Sequence, residues 1–120
     1  MKTLKFVLET LCTNDAVLGA LIITKEGMMI ESDLDSNYDG ETIGAFMSHM
    51  AATIKNALGS MGHTEFTRYV VASEEGKIYL VDLGTSFLLA LTQTGVDEGN
   101  INIALFQAAN EIKKTGRLSV

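Results

Sequence analysis

The chain has 120 residues and 12.9 kDa, is 47% hydrophobic and 20% charged, and sets 15 acidic against 9 basic side chains for a formal charge of −6. That is the material of one packed domain over residues 1–120, and it excludes intrinsic disorder. So acidic a chain is a poor counterion for phosphate backbones, which removes nucleic acid as an expected partner, and its longest apolar run, Ala16 to Ile23, falls far short of the roughly 20 residues that cross a bilayer, so no direct membrane insertion is expected.

Leu4, Val7, Leu8 and Leu11 recur at i, i+3, i+4 and i+7 and predict a short amphipathic helix ending near Asn14-Asp15. Lys5 and Glu9 interrupt the apolar stretch around Phe6 to Leu8, so the start does not read as a secretory signal, and a cytoplasmic location is expected. The β-branched and aliphatic run Val17 to Thr24, the polar turn Lys25-Glu26-Gly27 and the segment Met28 to Asp33 predict a hairpin. A polar loop, Leu34 to Gly40, leads to a long helix from about Glu41 to Met61, with Asp39 as N-cap and Gly62 just past its end. Phe66 to Ser73, Ile78 to Leu83 and Ser86 to Thr92 then read as a meander of three strands, with the first an expected sheet edge. A last helix, capped by Asn100, carries Ile101, Ala104, Leu105, Ala108, Ala109 and Ile112 on one stripe and stops at Gly116. The expected order is α-β-β-α-β-β-β-α. Strands such as Leu18 to Ile23 and Phe87 to Leu91 are apolar on both faces, so helices must cover the sheet from both sides. The fold class is α/β (α+β), a three-layer α/β/α sandwich around a five-stranded, mostly antiparallel sheet.

The long helix is informative on both faces. Ile43, Phe46, Met47, Met50, Ala51, Ile54, Ala57, Leu58 and Met61 form a stripe expected to pack on the sheet. Opposite lie Ala45, Ser48, His49, Ala52, Lys55, Asn56 and Gly59, a helix back with unusually little charge, on which Ala45, Ala52 and Gly59 are spaced by seven. Small residues in line permit close helix approach, so this face is the expected homodimer contact. Arg68 and Tyr69, on the edge strand that follows, are expected to join it by pairing with the same strand of a second copy.

Motifs for chemistry are weak. There is neither a phosphate-binding G-x-x-x-x-G-K-[ST] loop nor a dinucleotide-binding G-x-G-x-x-G, and no cofactor is expected. Asp35 to Gly40 opens like a calcium loop but places Phe46 where a bidentate Glu is required. His49 and His63 have no third ligand, so no metal site is assigned. Cys12 stands alone beside a core stripe and reads as a small hydrophobe, Asp82 has no evident acid/base companion, and Arg68 fits a surface or edge role better than that of an arginine finger. No catalytic residue is assigned, and the chain is not expected to be an enzyme.

The succession Val17-Leu18-Gly19-Ala20-Leu21-Ile22-Ile23-Thr24-Lys25-Glu26-Gly27-Met28-Met29-Ile30-Glu31-Ser32 resembles the signature hairpin of the roadblock/dynein light chain family. Ile43-Gly44-Ala45-Phe46, Leu58-Gly59, Gly76 to Leu80 and Gly84 to Thr92 fall where that family has its long helix and last strands, and the compact form resembles its prokaryotic, MglB-like branch. The resemblance implies a roadblock fold, akin to longin domains, in which the long helix and third strand build a homodimer or a heterodimer with a roadblock paralogue. It further implies that the dimer docks a Ras-like small GTPase as an activator that shifts the GTPase's own groups into place, or as a plain scaffold. Two other classes remain beside it: a small-molecule sensor on a PAS-like sheet, and a structural adaptor in a motor or signalling complex.

Overall fold

A computed structural model describes residues 3–62 and 68–118, with side chains as far as Thr115. Its elements follow the expected order: α1 (Leu4–Leu11), β1 (Val17–Thr24), β2 (Met29–Asp33), α2 (Gly40–Ser60), β3 (Arg68–Ala72), β4 (Lys77–Asp82), β5 (Ser86–Thr92) and α3 (Glu98–Leu118). The strands form one sheet in the order β2-β1-β5-β4-β3, and all four neighbouring pairs are antiparallel.

Alternation along the central strands creates the three layers. Ala20 and Ile22 of β1, with Leu88 and Ala90 of β5, point to the face covered by α1 and α3, where Leu8, Leu105 and Ile112 pack on them. Leu21 and Ile23, with Phe87, Leu89 and Leu91, point to the opposite face, where α2 supplies Met47 and Ala51. One face therefore has two helices and the other has one.

The caps explain where the helices begin. Thr3 accepts the amide of Phe6 and Asp39 that of Thr42, each satisfying a free N–H of the first turn. Gly62 has φ +84°, the left-handed backbone that terminates α2 as expected. The last helix differs from expectation at both ends. It starts earlier because Asp97, not Asn100, accepts the first amides, from Gly99 and Asn100. Asn100 instead accepts from the Asn14 side chain, and the helix runs through Gly116 to Leu118. The third strand is described over Arg68–Ala72; the predicted Phe66 and Thr67, like His63, lie outside the described residues.

Candidate partner interface on helix α2 and strand β3

The N-terminal half of α2 is locked to the fold through small residues. A Cβ on Gly44 would stand 3.0 Å from the Gly27 carbonyl oxygen and from Ile23 Cγ2, so the helix rides directly on the β1–β2 turn. Gly27 itself has φ +98°, and a side chain there would meet Ala45 and Ser48 at 3.1 Å. Ser48 donates its hydroxyl to the Lys25 carbonyl, 2.6 Å away. The same turn is tied to the β4–β5 end of the sheet, because Lys25 Nζ bonds Asp82 at 2.7 Å and lies 4.2 Å from the centre of the Phe87 ring. Asp82, unpartnered in the sequence reading, thus has a cation and the Gly84 amide.

This docking corrects the expected orientation of α2. Its buried residues are Gly44, Met47, Ser48 and Ala51, all in its first twelve positions, and Ser48 faces inward rather than joining the outer face. Ala45, His49, Ala52, Lys55, Asn56 and Gly59 are exposed as expected, and a Cβ on Gly59 would touch nothing within 4 Å. The apolar stripe is only partly covered: Phe46 is 58% exposed, Met61 66%, and Ala57 is also open, while Met50 and Ile54 are half-buried. Small side chains, chosen by the close approach to the turn, occupy the buried sector, and this rotates the large apolar ones to its flank. The pattern Gly44, Ser48, Ala51 at i, i+4, i+7 was the available signal for that sector. The exposed arc of α2 therefore joins the small-residue line to an apolar flank.

Strand β3 lies at the edge of the sheet, paired only with β4 among the described strands. Its side chains alternate between the two faces. Tyr69 turns to the α2 side and donates its hydroxyl to the Met47 carbonyl at 3.3 Å, and burial pushes its pKa up. Arg68 turns the other way and donates to the Asn102 side chain of α3. The other edge, β2, is closed differently: Lys5 of α1 bonds the Ser32 carbonyl at 2.5 Å and the Cys12 thiol lies 3.9 Å from that of Asp33. Burial, and then the Asp33 charge, push Cys12 up to about 12, which leaves little thiolate near neutral pH.

Among the described residues, no three His, Cys, Asp or Glu side chains form a group able to hold a metal, every buried side-chain N or O has a partner, and no helix is long and apolar enough to cross a membrane. The features of the described surface that stand out are a lightly charged helix arc and a strand edge.

Known proteins match this chain along most of its length. The family model described as Roadblock/LC7 domain matches residues 3–93, from α1 through β5. The uncharacterized protein MJ0714 of Methanocaldococcus jannaschii is 33% identical over 107 residues, covering 89% of this chain and 91% of the relative. Among solved structures, Myxococcus xanthus MglB superposes with a TM-score of 0.89 at 16% identity, covering 95% of this chain and 94% of that one. A Roadblock/LC7 domain from Streptomyces avermitilis gives 0.85 at 14% identity, over 94% of this chain and 97% of the other. The structural matches establish a roadblock, longin-like fold.

Proposed function

The chain belongs to the Roadblock/LC7 domain family, and from that premise we propose that it is a non-enzymatic, cytoplasmic, dimeric binding module that regulates a Ras-like small GTPase in the activating sense, or scaffolds it. The observation that carries this reading is the outer arc of α2, where Phe46 and Met61 are 58% and 66% exposed beside Ala45, His49, Ala52, Lys55, Asn56 and Gly59. Large apolar side chains left open along one helix flank mark a protein contact. The edge strand β3, bearing Arg68 and Tyr69 and paired only with β4 among the described strands, extends the same interface through backbone pairing. The partner across it is a second copy of the chain or a roadblock paralogue. Ser48 is excluded from the contact because its hydroxyl is committed to the Lys25 carbonyl.

The dimer acts on the GTPase by differential affinity. A surface that binds one nucleotide state better than the other shifts the switch by that difference and by no more. Arg68 is held by Asn102 and is not offered as a catalytic finger. No cofactor enters this mechanism.

Light scattering tests the reading first. The native chain is expected at twice 12.9 kDa, and Ala52→Glu or Ala57→Glu should return it to the monomer, since an unpaired charge in a packed contact costs several kcal/mol. A native monomer that forms no complex with a co-expressed roadblock paralogue refutes the dimer. Purified Ras-like GTPases loaded with GDP or a GTP analogue then separate regulator from scaffold: preferential binding and faster hydrolysis support the regulator, and equal binding to both states leaves the scaffold.

A further inference from the structure

On the sheet face opposite α2, a trough of about 370 Å³ runs between α3 and the end of the sheet formed by β3 and β4. Its floor is apolar, built from Val81, Leu105 and Ala109, and Phe106 stands at its wall with 67% of its surface exposed. Its rim is cationic. Arg68 reaches the trough at the level of Asn102, and Lys113 lies eleven residues further along α3. Among the described residues neither is held in an ion pair. The carboxylate in the lining, Asp82, is already neutralised by Lys25 at 2.7 Å and bonded by the Gly84 amide at 2.8 Å. Glu98, at the start of α3, is likewise occupied by Lys77 and the Tyr79 hydroxyl. The result is a positively charged, apolar trough in a chain whose net charge is −6.

We propose that this trough docks an acidic amphipathic helix of a partner protein, as a second interface on the sheet face opposite the α2 arc, bordering the β3 edge at Arg68. Charge complementarity selects the occupant: on a chain of net charge −6 an anionic partner is steered toward a cationic patch, which therefore sets both register and encounter rate. The geometry selects its form. Eleven residues of α3 correspond to a span of about 16 Å, or three helical turns, between the two cationic ends. An opposing helix matches this with carboxylates at its two ends and apolar residues between them, which cover Phe106 and fill the floor.

A displayed library of random, helix-forming 18-residue peptides, selected on the native chain and counted against the double variant Phe106→Asp/Lys113→Glu, tests the assignment. Both side chains are exposed, so the variants should keep the native circular dichroism and solution mass. Enriched peptides should be acidic at both ends of an apolar stripe. Their calorimetric affinity should fall at least about tenfold with either single substitution and fall further as salt is raised. Failure to enrich, enrichment of neutral or basic peptides, or equal binding to the double variant overturns the proposal. So does a change of the protein's own mass in Phe106→Asp, which would give the trough to a second copy. Neither selection nor calorimetry depends on a GTPase, so this inference and the proposed function fail separately.

Discussion

Helices α2 and α3 each have 21 residues and lie on opposite faces of the same sheet, yet they distribute their apolar side chains in opposite ways. Helix α3 buries Ile101, Leu105, Ala108, Ala109 and Ile112 in an unbroken stripe against the sheet and α1. Helix α2 buries only four residues, three of them Gly, Ser or Ala, and leaves Phe46 and Met61 outside. The first is a core helix with one decorated flank. The second is held by its first half, on the β1–β2 turn, and offers the remainder. Two amphipathic helices of equal length thus divide between stability and, on the function proposed above, recognition, and the size of the buried residues, rather than the presence of an apolar stripe, distinguishes them.

The largest expected effect separates these roles directly. Leu105→Ala should cost about 2–5 kcal/mol in urea unfolding, because it removes a buried side chain from the α3 stripe. Ala57→Glu on α2 should change the intrinsic stability of the protomer by less than about 0.5 kcal/mol, since the site is exposed. Its effect should appear in the solution mass and in the concentration dependence of the unfolding midpoint. Equal losses in the two variants under dilute conditions would erase the distinction.

Next comes the contact that orients α2. Gly44→Ala gains about 1 kcal/mol of helix propensity but sets a methyl 3.0 Å from the Gly27 carbonyl oxygen and Ile23 Cγ2, and crowding of this kind costs about 1–3 kcal/mol. A net destabilisation of up to about 2 kcal/mol is expected by the same denaturation assay. A stabilised variant would show that α2 stands off from the turn.

Alkaline pH probes the attachment of α3. Tyr79 is pushed up to about 12 by burial, by its hydrogen bond to Glu98 and by the charge of that carboxylate. A raised folded-state pKa favours the neutral phenol in the native protein, so this contribution is complete below pH 10 and is lost between pH 10 and about 12. Tyr79→Phe should flatten that loss in a pH series of thermal melts. Tyr69, which touches α2 and is raised by burial, should contribute less. At the acid end, Glu98 is held low mainly by its hydrogen bonds to Lys77 and Tyr79, so its contribution is present above the ordinary carboxylate pKa and fades as pH falls through the lowered value.

Much of the fold was legible in the sequence, for physical reasons that vary by element. Strands β1 and β5 are apolar on both faces, and that alone demanded helices on both sides. Asp39 and Gly62 marked the ends of α2 because a free amide needs an acceptor and a left-handed residue needs no Cβ. The rotation of α2 was hidden, since periodicity identifies a stripe but not what covers it: Phe46 and Met61 share their spacing with Met47 and Ala51. The inward turn of Ser48 depended on a carbonyl 23 residues away at Lys25, and the Lys25–Asp82 pair joins residues 57 apart. The start of α3 was misplaced because Asp97 and Asn100 are both competent caps and only the path of the chain chooses between them. The exposed back of α2 and the edge position of β3 were therefore legible in the sequence, and the sector of the helix that carries its large apolar groups was not.

The smallest expected effect discriminates most sharply between the two sides of the α2 arc. A Cβ at Gly59 meets nothing within 4 Å in the protomer, so Gly59→Ala should stabilise the isolated chain by about 0.5–1 kcal/mol through helix propensity alone. If the second copy approaches along Ala45, Ala52 and Gly59, the added methyl enters the closest part of the contact and the dimer should weaken even as the protomer gains. If the contact centres on Phe46, Ala57 and Met61, the dimer should keep its affinity and the gain should appear undiminished. Measured together, the dissociation constant from dilution light scattering and the unfolding free energy in the monomeric Ala57→Glu background fix which sector of α2 meets its partner, because a substitution that helps the helix can harm the dimer only where another backbone comes close.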